Sequence, residues 1–301
     1  MNFFRERKSP SENIAFMAFA AALNAIFSVL LAFVPFSDLF VLLFLPLVSA
    51  LVGLLCDKKY LPVYLLAAIG VSLASTAYDM QATFFYVIPA IFAGTLYGFL
   101  YHKDWPLPYV ILGTALLELG LNYLALPIVQ GIYGNDIIAF FLKVLSLDQH
   151  PYIGDIIPAF LLAYALAQTS ISHLVIQAFF GRFHLLKEDN EKLCISYPLG
   201  GICVVILTIT FAFFYPAVSY FFFVLSLYLS AFAALLFRQK YVWWVYLITG
   251  LMGLFALYGF AFLYRYVPKD GGLALLAFFL FALDGGALLG RLLLWKKEKE
   301  E

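Results

Sequence analysis

Long apolar stretches, separated by short polar segments that hold most of the charges, run along nearly the whole chain. About twenty apolar residues cross the hydrocarbon core of a bilayer as a helix, which satisfies its backbone hydrogen bonds internally. The pattern therefore predicts an all-α, polytopic helical membrane protein. About ten transmembrane helices are predicted, near residues 13–35, 38–56, 60–77, 82–101, 107–129, 153–181, 197–216, 218–237, 241–264 and 272–295.

The apolar stretch from 197 to 237 is predicted to form two of these helices, with the break at Pro216. A single helix of this length would be roughly 60 Å long, whereas the hydrocarbon core is about 30 Å thick. The segment 182–196 is the most charged connection in the chain. We interpret it as a cytoplasmic linker between a domain of six predicted spans, 1–181, and an extension of four, 197–301.

The composition indicates a lipid environment, because 64% of the residues are hydrophobic and only 12% are charged, with a mean hydropathy of +0.96. Average soluble domains are about 45–50% apolar and about 25% charged. A water-soluble fold of this length could not bury so much apolar surface. Membrane lipid is therefore an expected partner. We expect no nucleic acid partner, although the net charge of zero does not itself bear on this, because the positions of the charges matter and not their sum.

The distribution of Lys and Arg predicts the topology. With the N-terminus inside, 15 of the 18 Lys and Arg residues fall in cytoplasmic segments, and only Lys143, Arg265 and Lys269 fall outside. Cytoplasmic loops of membrane proteins carry an excess of basic residues. The sequence thus predicts a multi-pass protein of the cytoplasmic membrane, with an even number of spans and both termini cytoplasmic.

The sequence shows none of the usual motifs of a metal site, a cofactor site or an enzyme. Its three cysteines and four histidines are scattered, without the spacing of a zinc or redox motif. No glycine-rich phosphate loop is present, so the chain lacks the usual motif for ATP hydrolysis. We expect no metal, no cofactor and no enzymatic activity. An intramembrane enzyme would need Glu118 and Asp284 to converge in one cavity.

Glu118 lies near the middle of the fifth predicted span, and Asn122 follows one helical turn later on the same face. Ionisable residues within spans are costly, and they usually face the interior of the helix bundle or a water-filled cavity. Glu118 and Asn122 are therefore candidates for binding a ligand in an outward pocket. The alternative is a protonated glutamate that bonds to another helix and serves packing alone.

A polar cluster that includes Asp79 lies at the outer end of the third predicted span, just before an aromatic run that ends at Tyr86. Such a cluster could bind a small aromatic or heterocyclic solute. Aromatic residues also form belts at membrane interfaces, which is the favoured interpretation of the rings. The predicted outer segment 130–152 holds an apolar patch too short to cross, which lies at the interface or folds over the cavity.

The last predicted span contains Asp284, followed by Gly286 and Gly290. Together with Ala282 these glycines form a ridge of small residues that lets another helix approach closely. We interpret the ridge as a helix-packing surface with a buried carboxylate, and a transport role for Asp284 is the alternative.

Small residues also line one side of the first predicted span, among them Ala18 and Ala22. Such a strip permits close contact with another helix, either within this protein or in a partner.

Four segments give the first six predicted spans a family resemblance: IAFMAFAAALNA, FLPLVSALVGLLCDKKY, FFYVIPAIFAGTLYGFLYHKDW and LLELGLNYLALPIVQGIYG. In this order they resemble the substrate-binding S component of energy-coupling factor (ECF) vitamin transporters. The resemblance covers residues 10–181, more than half of the chain. It implies a six-helix membrane bundle that binds a small vitamin-like nutrient on its outer side.

The resemblance also implies partners and site residues. Ala18 and Ala22 match the strip that contacts the ECF transmembrane coupling subunit, and separate ATPases would supply the energy. By position, the nutrient would lie near Tyr86, Glu118, Asn122 and the 130–152 segment.

The four further predicted spans depart from the usual S component, and they resemble the longer, YybS-like (DUF2232-type) branch of the bacterial superfamily. We therefore expect a membrane solute-binding subunit. The alternative is a scaffold without transport activity that organises envelope or division proteins, as MreD-type relatives do.

Overall fold

A computed structural model describes residues 5–34, 38–77, 80–134, 139, 143, 153–183, 185, 195–235, 237, 243–267 and 272–300. These residues are helical almost throughout, and none of them lies in a β-strand.

Ten helices follow one another in the described parts of the chain. They are α1 (Pro10–Phe33), α2 (Asp38–Leu55), α3 (Leu61–Ser75), α4 (Met80–His102), α5 (Leu107–Tyr133), α6 (Ile153–Arg182), α7 (Ser196–Ala212), α8 (Pro216–Leu235), α9 (Trp243–Leu263) and α10 (Ala277–Glu300). Helix α4 contains a π-helical stretch, Thr83–Val87, and a 3₁₀ turn, Gly272–Leu276, leads into α10.

Each predicted span overlaps one of these helices, which confirms a helical membrane protein. Seven helical stretches among the described residues are long and apolar enough to cross a membrane, and they lie in α1, α4, α5, α6, α8, α9 and α10. The described parts of α2 and α7 yield shorter apolar helices, Phe44–Leu55 and Ser196–Ala212, and α3 has only 15 residues. The count of ten spans therefore stays a prediction. The predicted break at Pro216 is present, because α7 ends at Ala212 and Pro216 opens α8.

The described chain divides into two compact units. The first unit comprises Met1–Leu145 and Tyr164–Asn190, and the second comprises Ser146–Ala163 and Glu191–Glu301. Neither unit is continuous in sequence. The predicted division into 1–181, a 182–196 linker and 197–301 stays a prediction.

The N-terminus of α1 is fixed by local hydrogen bonds. Ser9 and Glu12 form a capping box, in which each side chain accepts a hydrogen bond from the backbone N–H of the other residue. The Asn13 side chain accepts a hydrogen bond of 2.8 Å from the backbone N–H of Asp57, just after α2. The start of α1 and the end of α2 therefore lie together.

Basic residues of three connections meet at this same end of the first unit. The backbone N–H of Arg7 donates to the carbonyl of Leu55 at 2.8 Å. Lys58 and Lys103 both lie over the ring of Phe99, at 5.1 and 4.5 Å from its centre. The N-terminal segment and the connections after α2 and α4 therefore share one end, as the charge pattern predicted for cytoplasmic segments. Which side of which membrane they face stays a prediction.

Glycines bring the backbones of α2 and α4 into direct contact. A Cβ atom on Gly94 would overlap the carbonyl oxygen of Pro46, and one on Gly98 would overlap that of Ala50. Gly53 makes the reciprocal approach to the backbone of α4. Small residues permit such close helix contacts in membranes, where dispersion forces replace the hydrophobic effect between helices. This crossing fixes α4, which contributes to the site described below.

A buried polar network joins the first three helices. The Asn24 amide of α1 donates to the Tyr64 hydroxyl of α3 at 2.7 Å and to the Ser49 hydroxyl of α2 at 3.3 Å. The Ser49 and Tyr64 hydroxyls lie 2.8 Å apart. Buried polar groups in lipid need such partners, so the network specifies how the three helices align.

The second unit is built around α7, α8 and α10. Ser219 of α8 donates to the backbone carbonyl of Thr208 in α7 at 2.9 Å, so the two helices are linked just beyond the break between them. Ala274 and Leu275 of the 3₁₀ turn are fully buried against a cluster that includes Ala212.

Candidate functional site

Glu118 lies in the interior of the first unit, on α5, and only 3% of it is exposed. The Thr169 hydroxyl of α6 donates to one oxygen of its carboxyl group at 3.1 Å. This hydrogen bond from a hydroxyl group therefore links the buried carboxyl group of α5 to α6.

The Glu118 carboxyl group lines a small cavity of about 10 Å³. Helices α2, α4, α5 and α6 all contribute to its wall, so it belongs entirely to the first unit. Besides Glu118, the lining residues include Pro46, Gly94, Tyr97, Thr114, Thr169 and Ser172. A site of this size has room for about one water-sized particle.

The hydroxyl groups of the wall retain capacity to accept further bonds. Thr114 donates to the backbone carbonyls of Val110 and Ile111, at 2.8 and 2.9 Å, so its oxygen can still accept. Ser172 is 4% exposed, and its buried hydroxyl has no hydrogen-bond partner among the described residues. Several oxygen atoms with unused lone pairs therefore surround the cavity.

Tyr97 extends this polar cluster toward the C-terminus of α6. Its hydroxyl lies 2.6 Å from Nδ1 of His173, and it accepts a bond of 3.2 Å from the Gln177 amide. In the sequence, Tyr97, Thr169, Ser172 and His173 do not stand out as candidates for binding. Their only signal is polarity within apolar stretches, and the spacing along the chain does not show which helices pair.

The structure does not place the other predicted ligand-binding residues on this cavity. Asn122 is half-buried on α5, and its side-chain oxygen is buried with no hydrogen-bond partner among the described residues. Tyr86 lies in the π-helical stretch of α4 and is 37% exposed. Asp79 and most of the 130–152 segment lie outside the described residues.

Asp284 occupies the interior of the second unit, at the junction of α7, α8 and α10. It is fully buried, and the Ser230 hydroxyl of α8 donates to its Oδ2 at 2.8 Å. Its Oδ1 has no partner among the described residues. A Cβ atom on Gly201 of α7 would overlap the carboxyl group, so the helices pack tightly around it.

The glycine ridge of α10 lies against α9 at one position. A Cβ atom on Gly286 would overlap the Thr249 side chain of α9, and Gly290 is also buried. Helix α10 can therefore approach α9 this closely only because Gly286 has no side chain.

This arrangement leads to a prediction for two substitutions of Asp284. Asp284→Asn should fold like the unchanged chain, because asparagine keeps an oxygen acceptor for Ser230. Asp284→Ala should lower the free energy of unfolding by about 1–3 kcal/mol, because it leaves the Ser230 hydroxyl unpaired and opens a cavity. Thermal unfolding in detergent measures both effects.

A suitable control is Ser226→Ala, since that buried hydroxyl bonds only to its own helix, at the Phe223 carbonyl. An Asp284→Asn chain that fails to fold would contradict this prediction.

Ala18 and Ala22 lie on the exposed face of α1, opposite the face that carries Asn24. Their neighbours on this face include Ile14 and Ile26, which are 57% and 55% exposed. The face is apolar and suits either lipid or another helix. Its role as a partner contact stays a prediction.

Metal-binding clusters of three or more His, Cys, Asp or Glu side chains are not found among the described residues. Glu118 belongs to the first unit and Asp284 to the second. The sequence matches no family model, and no curated protein or solved structure matches it either. The resemblance to ECF S components therefore stays a prediction.

Proposed function

We propose that the protein is an integral membrane subunit that binds a small, vitamin-like solute through its first unit. The observation that carries this proposal is a polar face inside an apolar bundle. Glu118 is buried on α5, and Asn122 follows with its side-chain oxygen unpaired within the described part of the chain. Unpaired buried polar groups are costly, and in lipid they mark sites of function.

The position of Asn122 suits a solute that enters from the predicted outer side. Helix α5 begins at Leu107, just after the basic connection at Lys103, and Asn122 lies farther along toward Tyr133. The Tyr133 hydroxyl accepts a bond of 3.1 Å from the backbone N–H of Met80, at the start of α4. The non-basic ends of α4 and α5 thus meet on the side where we place the solute.

A vitamin-sized molecule needs a pocket of several hundred Å³. The cavity at Glu118 is much smaller, so we place the solute against Asn122 and Tyr86. Binding would then require the helix ends there to move apart, with Glu118 at the bottom of the opened pocket.

Energy for uptake would come from a separate ATPase module through a membrane coupling subunit. The exposed Ala18 and Ala22 face of α1 is where we place that coupling subunit. The setting is the cytoplasmic membrane, with both termini cytoplasmic.

A thermal-shift screen of water-soluble vitamins and related heterocycles against the detergent-purified full chain tests the proposal. We expect one compound class to raise the unfolding temperature, and Asn122→Ala to weaken its binding at least tenfold, or about 1.4 kcal/mol. The matched control is Leu124→Ala, which truncates a 63% exposed residue of the same helix and should bind normally.

Co-purification from membranes tests the partner. An ATPase and its coupling subunit should accompany the chain and be lost when Ala18 and Ala22 are both replaced by leucine. If no solute binds and only envelope or division proteins co-purify, the solute-binding proposal is wrong and the scaffold is favoured.

A further inference from the structure

We propose that the cavity at Glu118 is a binding site for one small monovalent cation of about the size of Na⁺. The inference goes beyond solute binding. The two sites share Glu118, but the cation is placed in the cavity among α2, α4, α5 and α6, whereas the solute is placed against Asn122 and Tyr86.

The wall of the cavity supplies the ligands that such a cation requires. Hard cations bind oxygen atoms, and carboxylate and hydroxyl groups are the usual protein donors. Glu118 provides a carboxyl group, while Thr114, Thr169 and Ser172 provide hydroxyl oxygens. These residues come from α5 and α6, and the Thr169 hydroxyl also orients the carboxyl group through its 3.1 Å bond.

Ser172 is the observation that points most directly to a bound particle. Its hydroxyl is buried, lines the cavity and has no hydrogen-bond partner among the described residues. A buried hydroxyl without a partner costs about 1–3 kcal/mol, which a ligand in the cavity would offset.

A bound cation would compensate the charge of an ionised Glu118. An ionised carboxylate in a low-dielectric interior is strongly unfavourable unless an opposite charge compensates it. No Lys or Arg is among the described residues that line the cavity. The nearby titratable groups on the packed helices are Tyr97 of α4 and His173 and Tyr164 of α6, and none of them is a permanent cation.

Size and charge together select the kind of cation. The cavity of about 10 Å³ admits one particle no larger than a water molecule, so the ion must shed its hydration shell. One carboxylate neutralises one positive charge, whereas a divalent ion would leave an excess charge in the membrane interior. Na⁺ and Li⁺ therefore fit better than Ca²⁺ or Mg²⁺, and K⁺, which is about as large as a water molecule, lies at the upper size limit of the cavity.

The test is the unfolding temperature of the detergent-purified full chain in NaCl, LiCl, KCl and choline chloride at equal ionic strength and mildly alkaline pH. We expect a saturable stabilisation by Na⁺ and Li⁺, a smaller one by K⁺ and none by choline. Binding of radioactive Na⁺ should saturate near one ion per chain.

Two variants assign the effect to this cavity. Glu118→Gln should abolish the stabilisation by Na⁺, and Ser172→Ala should weaken Na⁺ binding about tenfold, since it removes one oxygen ligand. The matched control is Ser226→Ala, a buried serine of the second unit, which should keep the full response. If Glu118→Gln fails to fold, Ser172→Ala and Thr114→Val carry the test.

The proposal is overturned if all four salts give the same unfolding temperature, because the cavity then holds a water beside a neutral carboxyl group. It is equally overturned if Na⁺ stabilises Glu118→Gln as strongly as the unchanged chain. Asn122→Ala should leave the stabilisation by Na⁺ intact. The experiments therefore distinguish a wrong cation proposal from a wrong solute-binding proposal.

Discussion

Gly98→Leu should prevent the first unit from assembling its native helix bundle. A Cβ atom at this position would already overlap the carbonyl oxygen of Ala50 and approach the backbone nitrogen of Leu54 within 2.8 Å. Both are main-chain atoms inside α2, so they cannot turn away as a flexible side chain can. Helices α2 and α4 would have to separate along their whole contact.

The expected size of this effect follows from packing energetics. Overfilling a well-packed interior costs about 1–3 kcal/mol when side chains can adjust. Separation of two helices forfeits many dispersion contacts at once, and in lipid no hydrophobic effect brings them back together. We therefore expect Gly98→Ala to lower the unfolding temperature clearly, and Gly98→Leu to leave no folded protein.

Size-exclusion chromatography of a fluorescent fusion measures the folded fraction directly. Gly70→Leu on α3 is the matched control, because in the described part of the chain no atom other than those of its chain neighbours and its own helix backbone lies within 4 Å of a Cβ placed there. A Gly98→Leu chain that elutes as a sharp, stable peak would contradict the close crossing of α2 and α4.

Tyr97→Ala should produce the second large loss, about 3–5 kcal/mol of unfolding free energy. The ring is 2% exposed and lies 6.1 Å from that of Tyr101 and 5.8 Å from that of His173, measured between ring centres. Removal of the side chain opens a cavity beside Glu118 and takes one hydrogen-bond partner each from His173 and Gln177.

Tyr97→Phe separates the two contributions. It keeps the ring and removes only the hydroxyl, so we expect a loss of about 1–3 kcal/mol. Reversible unfolding in mixed detergent micelles measures both variants, and Tyr258→Phe, at a residue 72% exposed on α9, serves as the control. Equal losses for Tyr97→Phe and Tyr97→Ala would show that the hydroxyl network, rather than ring packing, dominates.

The sequence predicted the helices better than their arrangement. An apolar stretch about twenty residues long has one low-energy structure in lipid, so each of the ten predicted stretches overlaps a helix. Whether a short helix such as α3 spans the membrane depends on its tilt and on the helices packed beside it. The hydropathy of a single stretch gives information on neither.

The candidate site was predictable only in part. Glu118 stands out because a carboxylate within a span is rare. The hydroxyl residues beside it in the cavity, Thr169 and Ser172, lie on α6, about fifty residues further along the chain, and Tyr97 lies on α4. Hydroxyl residues are common in membrane helices, where they often bond to their own backbone as Thr95 does, so their type alone does not mark them.

The π-helical stretch of α4 has a consequence for how the sequence around it can vary. In Thr83–Val87 the backbone N–H of Ile88 bonds to the carbonyl of Thr83, five residues earlier, so one extra residue is accommodated in a turn. Each residue of an α-helix turns the chain by about 100°. Insertion or deletion of one amino acid here would thus rotate only the segment that precedes it, while Gly94 and Gly98 would keep their alignment with α2. Tyr86 lies in this π-helical stretch. Such an insertion or deletion would therefore reorient the Tyr86 side chain and leave in place the crossing of α2 and α4 that supports the fold.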